Sequence, residues 1–401
     1  MGFMLNNDQL ELKRQLHHWY STMYKQYFYY SGRAGTGKTT AVASFLEDIG
    51  LIYGEYICCA YVGKAVTVLL RKGYNAKTIH SLIYDVIIKT LLETAFDADG
   101  DEYKKKKTIM TFELKEQLSS VLKLIIVDEC KMVPDKMITE LLSFGIPIIF
   151  MGDENQLPPV MGSSKILAEP DFTLNEIMRQ AEDDPIVMIA NWILDDMPLK
   201  YGTYGKSAIV ESVPFDRTLL TDYDMILCGK NKTRDELNNR IRSDILHLQK
   251  NKLYLGEKLV CRQNNWDEAI GDIFLTNGTV GFVEDIHYDR NNSKFSSIDF
   301  RPDFLEECFS EIKLDKRHFY LPYEERNNYG ISQYNKFEYG YVLTTHLAQG
   351  SEADDVLFMD EMMHNSDITR RLRYTAVTRA RNSIVFQTQY GGDNRRYYSY
   401  Y

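Results

Sequence analysis

Residues 27–45 read YFYYSGRAGTGKTTAVASF, and residues 122–133 read LKLIIVDECKMV. Each is an apolar run of strand length that stops at a chemically loaded turn. In the first, Gly32-Arg-Ala-Gly-Thr-Gly-Lys38-Thr39 matches GxxxxGK[ST]. Glycines at these places let successive backbone N–H groups wrap an anion, and the helix that follows turns its positive dipole end toward it. Gly35, Thr36, Gly37, Lys38, Thr39 and Thr40 are therefore candidate ATP contacts, with Lys38 reaching the β/γ-phosphates and Thr39 holding Mg²⁺. In the second run, Asp128 and Glu129 close the strand. Neighbours within a strand face opposite ways, yet at its end both carboxylates can turn to one site. Asp128 would support Mg²⁺ and Glu129 would orient or deprotonate a water. One phosphate-handling site at the ends of parallel strands accounts for both stretches.

The same alternation extends outward. EYICCAYV (55–62) and IPIIFMGD (146–153) are short continuous apolar runs, as strands buried on both faces require. TTAVASFLEDIG (39–50) and GKAVTVLLRKG (63–73) read as helices closed by glycine, and the spacing from Gln9 to Tyr20 predicts an amphipathic helix. The series resumes at DMILCG (224–229), then KNKTRDELNNRIRSDIL (230–246), where Thr233 and Glu236 form a capping box, and then YGYVLTTH (339–346), DDVLFMD (354–360) and NSIVFQTQ (382–389). Strands alternating with helices predict an α/β fold with parallel sheets. Two stretches break the pattern. Residues 83–119 carry DADGDEYKKKK (97–107), an Asp-Gly hairpin signal, and residues 255–339 consist of short alternating runs that predict a small all-β module.

Composition sets outer limits. The chain has 401 residues, 44% hydrophobic and 26% charged, too long for one small core. The six cysteines form no CxxC pair, so reduced thiols are expected, not a zinc site or a disulfide frame. No apolar run reaches membrane-spanning length, and neither a signal peptide nor a myristoylation signal is read at the N-terminus. A net charge of −10 argues against coating nucleic acid, because counterion release needs clustered Lys and Arg, but it allows a narrow channel.

Eight stretches in order carry a resemblance: GRAGTGKTT, AYVGKAV, KTIHSL, IIVDE, MGDENQLPPV, LNEIMRQ, VLTTHLAQGSEADDVLF and YTAVTRAR. Together, from Gln9 to Phe386, they resemble superfamily 1 DNA helicases, most closely the RecD-like branch (superfamily 1B) and, within it, the Dda-type helicases of T-even bacteriophages. The resemblance implies two RecA-like domains with ATP between them. It divides the chain into domain 1A (1–82 and 120–180) with a pin insert (83–119), and domain 2A (181–254 and 340–401, with a flexible tail) with an SH3-like insert (255–339). It places Gln9 on adenine, Gln156 between the γ-phosphate and the DNA groove, Arg179 and Arg379 on the transferring phosphoryl group, and Glu352 on the nucleotide or its coupling to the strand. Lys64, Thr78, His80, Thr345 and His346 fall where the family touches the strand. Phe96 is either a fork wedge or an anchor of the insert, and Trp266 of QNNW either packs or touches DNA. Leu347 stands where the family often has Lys, Ala353 where it often has Phe, and Lys131, where it often has Ser, adds charge beside the acids.

The resemblance thus implies an ATP- and Mg²⁺-dependent helicase that moves 5′-to-3′ on single-stranded DNA and unwinds forks in phage-type replication or recombination. It would act as a monomer in the cytoplasm of an infected host, away from membranes, with single-strand binding protein and replication or recombination proteins as candidate partners. A nucleotide-dependent switch and an RNA-directed motor are the rival readings.

Overall fold

The computed structural model describes residues 5–96, 102–158, 164–178, 183–250, 252–271, 273–288, 295–321, 323–328 and 334–389, without the side chains of 88–96, 102–110, 266–267, 295–296 and 327–328. Helix α1 (Asn7–Thr22) opens on a reciprocal cap, in which Asn6 accepts from the Gln9 N–H and Gln9 from the Asn6 N–H. Its Leu12, Leu16 and Trp19, spaced four and three apart, are buried on one face. Strand β1 (Tyr27–Gly32) then feeds α2 (Lys38–Ile49), which ends on Gly50 at φ 64°. Next come β2 (Tyr56–Ala60), α3 (Gly63–Arg71), β3 (Ala76–Thr78) and the short α4 (Ile79–Ile83).

A long hairpin follows, β4 (Tyr84–Phe96) and β5 (Glu102–Leu114), paired in register from Tyr84↔Leu114 to Phe96↔Glu102. The Asp-Gly signal at 99–100 lies outside the described residues, but the backbones on either side form the hairpin it predicts. The first sheet is completed by β6 (Leu124–Val127), β7 (Ile148–Gly152) and β8 (Phe172–Leu174), with α5 (Asp135–Ser143) between β6 and β7. Its order is β3-β2-β6-β7-β1-β8, and every pairing is parallel. All four residues of β6 are fully buried, and such side chains are worth about 1.5–3 kcal/mol each. Because β1, β6 and β7 are neighbours, the turns at their C-terminal ends converge on one edge, where open parallel sheets bind ligands.

The second sheet starts with β9 (Gly202–Tyr204), β10 (Ser207–Val210) and β11 (Met225–Cys228). The chain then leaves it for β12 (Lys258–Cys261), β13 (Asn265–Ile270), β14 (Ile273–Leu275), β15 (Val280–Tyr288), β16 (Phe295–Pro302), β17 (Phe309–Lys313) and β18 (Phe337–Tyr339). Five of these form an antiparallel sheet, β17-β16-β15-β12-β18, and β13 pairs with β14. The chain returns in β19 (Val342–Thr344), β20 (Ala353–Met359) and β21 (Ala380–Gln387), giving the order β19-β11-β20-β21-β10-β9, antiparallel only between β9 and β10. The fold is therefore α/β, with two RecA-like sheets, a hairpin insert and an all-β insert.

One local expectation is corrected. The helix Asn231–Arg240 begins at Lys230, so Thr233 lies inside it and caps nothing. The turn that enters the helix is held by Glu361, after β20, which accepts from Gly229 N–H at 2.7 Å, Lys230 N–H at 2.8 Å and the Thr233 hydroxyl at 2.6 Å. A carboxylate from a distant turn thus engages the Thr233 hydroxyl and braces the chain as it enters the helix, which starts earlier than the local signal says.

Candidate active site

The glycine loop leaves β1 with Gly35 and Gly37 at φ 80° and 71°, left-handed values that suit glycine. At Gly37 there is also no room, since a Cβ would lie 2.3 Å from Gln9 Nε2 and 2.4 Å from Met178 Sδ. Gln9 is fully buried, and its Nε2 donates to the carbonyls of Thr36 at 3.1 Å and Gly37 at 3.3 Å while its Oε1 serves the helix cap. Its amide thus holds the loop in shape, and contact with adenine would require exchanging one of these bonds. Lys38 Nζ lies across the loop, donating to Gly32 O at 2.7 Å and Arg33 O at 3.3 Å. Thr39 and Thr40 sit in the first turn of α2.

Asp128 follows the last residue of β6, and its Oδ1 accepts from the Glu129 N–H at 2.9 Å. Glu129 takes φ 50° and ψ 42°, a left-handed conformation costing a non-glycine residue roughly 1–2 kcal/mol. That turn is how two successive acids reach one cleft. Burial pushes both carboxyls up. The Glu129 amide and Lys38 oppose this at Asp128, and Arg379 then Lys38 oppose it at Glu129. The ammonium of Lys38 and the carboxylate of Asp128 beside the Thr39 turn form a donor set suited to a triphosphate with Mg²⁺. Lys131 does not add free charge here, which corrects the sequence expectation. It pairs with Glu154 at 2.7 Å, donates to Leu167 O at 2.9 Å and lies over the Tyr29 ring.

The second lobe closes the site through the helix Ser366–Val377 and the turn after it. Arg379 is 3% exposed, donates to Thr375 O and Ser351 O at 3.2 Å each, and brings Nη2 to 3.9 Å from Glu129 Oε1. Gln156 lies in a segment gripped from the same helix: Arg371 donates to the carbonyls of Glu154 and Gln156, and Thr375 Oγ1 accepts from Leu157 N–H at 2.8 Å. Gln349 Nε2 adds a bond to Leu157 O at 2.7 Å. Glu352 lines the cleft between lobes, and its charge is felt at Asp128. Arg179 lies outside the described residues; its neighbour Met178 donates to Gly35 O at 2.9 Å.

The strand-facing candidates are less uniform. Lys64, at the start of α3, forms an ion pair of 2.9 Å with Asp303 of the all-β insert. Both line an interlobe cavity of about 240 Å³ together with Arg71, Lys258, Glu352 and Arg381. Thr78 spends its hydroxyl capping α4 through Ser81 N–H at 3.1 Å. His80 is set among the rings of Tyr61, Tyr84 and Phe112, and burial pushes its pKa down to about 4. Thr345 is fully buried and bonded to Cys228 O, so it braces the strand end, while His346 is half-buried with its pKa lowered by burial. The backbone of Phe96 stands at the far end of β4 and that of Trp266 in β13; their side chains lie outside the described residues. Leu347 and Ala353 pack on the second-lobe core, so apolar residues suit both positions.

With this geometry in hand, two family descriptions match the chain: an AAA domain over residues 4–211 and a UvrD-like helicase C-terminal domain over 339–386. The chain belongs to this AAA-domain family. It is 27% identical over 382 residues to the ATP-dependent RecD2 DNA helicase of Deinococcus radiodurans, covering 88% of this chain and 45% of that protein. An uncharacterized protein of Acanthamoeba polyphaga mimivirus is 30% identical over 261 residues, 54% of this chain and 52% of its own. The chain thus spans about half the length of the curated relatives it matches. Among solved structures, Pif1 helicases at forked duplex DNA align with a TM-score of 0.51 at 17% identity, covering 98% of this chain and 96% of that one. Bacteroides Pif1 bound to single-stranded DNA aligns at 0.50 and 16%, covering 99% and 96%. These two speak for a shared fold. No helix among the described residues is long and apolar enough to cross a membrane.

Reading by sequence singled out Gln156 and Arg379 but passed over Asp153 and Tyr374, which lie inside the same quoted motifs. Their place in a phosphate motif is the signal that could have found them.

Proposed function

We propose that this chain is an ATP- and Mg²⁺-dependent DNA helicase that moves 5′-to-3′ along single-stranded DNA and opens duplex at forks, as a monomer, in phage-type DNA replication or recombination. The observation that carries the reading is the facing of Lys38, Asp128 and Glu129 in one lobe by Arg379 from the other, with Nη2 3.9 Å from Glu129. When bound, ATP would supply the phosphoanhydride to be broken and Mg²⁺ the positive charge that offsets the charge developing on the phosphoryl group. Thr39 and Asp128 would hold the metal, Lys38 the phosphates, and Glu129 would orient the attacking water. Arg379 reaches the reacting phosphoryl group only when the lobes approach, so turnover is tied to closure. Support for DNA as the track comes from the name of the RecD2 relative. The Dda-type likeness, the direction, the phage setting and partnership with single-strand binding protein rest on the sequence resemblance.

The test is strand displacement on two partial duplexes, one with a 5′ tail and one with a 3′ tail, with and without ATP. ATP-dependent product from the 5′-tailed duplex alone supports the proposal. ATP hydrolysis indifferent to any oligonucleotide would favour a nucleotide switch instead, and stimulation by RNA alone would favour an RNA motor.

A further inference from the structure

Tyr374 is the point at which the second lobe touches the backbone of the glycine loop. It lies on the helix Ser366–Val377 and is fully buried. Its hydroxyl oxygen is 2.7 Å from Ala34 N and 2.6 Å from Asp153 Oδ2. A backbone N–H can only donate, so the hydroxyl accepts from Ala34 and its single proton goes to the carboxylate. Burial, reinforced by Asp153, pushes the phenol well above its ordinary range and keeps that proton in place. Ala34 itself packs on the second-lobe core. Asp153 is 4% exposed, and its other oxygen accepts from Asn155 N–H at 2.9 Å, so it begins the segment that presents Gln156.

We propose that Tyr374 is a positioning residue for turnover, its hydroxyl tying the glycine loop at Ala34 to Asp153 so that docking of the second lobe sets the phosphate loop and the Gln156 segment together. Arg371, three residues earlier, and Thr375, one later, grip the same segment, so the helix acts on it as one face. Phenylalanine at 374 keeps the ring that fills the core and deletes only the tie. The inference rests on the ATP-dependent reading above.

The experiment compares the intact chain with Tyr374→Phe, Asp153→Asn and the double variant, measuring ATP turnover with and without single-stranded oligonucleotide. Hydrogen bonds to charged groups in a closed site predict a kcat lower by about tenfold or more in each single variant, with KM for ATP within about twofold. The double variant should be no slower than the slower single one, as residues acting as a unit are non-additive. A Tyr374→Phe kcat within about twofold of the parent, or a double variant as slow as the product of the singles, overturns the inference while leaving the ATPase reading intact. A parent chain that oligonucleotide does not stimulate overturns the reading itself. Should Tyr374→Phe fail to fold, the kcat-against-KM split in Asp153→Asn decides, and an unchanged kcat there is equally fatal.

Discussion

The ion pair between Lys64 and Asp303 places a carboxylate where the sequence puts a strand phosphate. It joins α3 of the first lobe to the turn after β16, at 2.9 Å, with side-chain exposures of 18% and 23%. Gly63 beside it packs near Ile273 and Phe304 of the same insert. A helix start with a lysine is a natural phosphate seat, so a bound strand has to displace Asp303 before it can use Lys64. A pair this close and this sheltered is worth more than an exposed bridge, about 1–2 kcal/mol. Asp303→Asn removes the competing charge and keeps the shape. Lys258, which also feels Asp303, still donates to Asp224 O at 3.3 Å. Single-strand affinity, read by fluorescence anisotropy of a labelled oligonucleotide, should rise by about 5–30-fold at low salt and less as salt screens the charges. In a Lys64→Ala background the same change should gain no more than about twofold. Unchanged or weaker binding by Asp303→Asn, or a gain that survives loss of Lys64, would refute the reasoning.

Other expectations concern stability and pH. Glu361→Ala strips the acceptor from Gly229, Lys230 and Thr233 and should cost about 1–3 kcal/mol in chemical denaturation; an unchanged midpoint contradicts the bracing role. Burial pushes Glu338 up, but His318 together with Arg234, Arg262 and Arg326 outweighs it and brings the carboxyl down to about 2. Its stabilisation is therefore present above the unfolded value near 4.3 and lost as pH falls toward 2; Glu338→Gln should flatten that slope and cost about 3–5 kcal/mol at neutral pH, measured by denaturant titration. His80, lowered to about 4 by burial, leaves the unfolded chain binding the extra proton, so its contribution holds above about pH 6.5 and fades toward 4. It stays neutral at working pH, so parent and His80→Gln should show parallel profiles of strand affinity between about pH 5.5 and 8, and a step near 6.5 in the parent alone would contradict this.

What the sequence made legible was whatever depends on neighbours in the chain. Apolar runs ending in Lys38 or in Asp128–Glu129 fixed the central strands, because a doubly buried strand has few alternatives. The hairpin is legible in Asp99–Gly100 and the all-β insert in the short alternating runs of 255–339. The three- and four-residue strands β8, β9 and β10 were not read, being too short for a period to declare itself. Long-range partners account for the remaining misses. Thr233 looked like a cap until Glu361 arrived from a distant turn, and Lys131 looked like added charge until Glu154 paired with it. Asp303 and Tyr374 acquire meaning only when an element distant in the chain meets them. Gln9 shows an intermediate case, since its motif pointed to the site but not to the two loop carbonyls that occupy its amide.

The central claim is that two lobes share one hydrolytic site, and Arg379 tests it most directly. Its guanidinium belongs wholly to the second lobe, bonded to Thr375 and Ser351, yet faces Glu129 of the first. Oligonucleotide-stimulated ATP hydrolysis should fall by roughly 10³–10⁵-fold in Arg379→Ala while nucleotide affinity stays within a few-fold. Hydrolysis at the parental rate in that variant would mean that the first lobe works alone, and the account would be wrong.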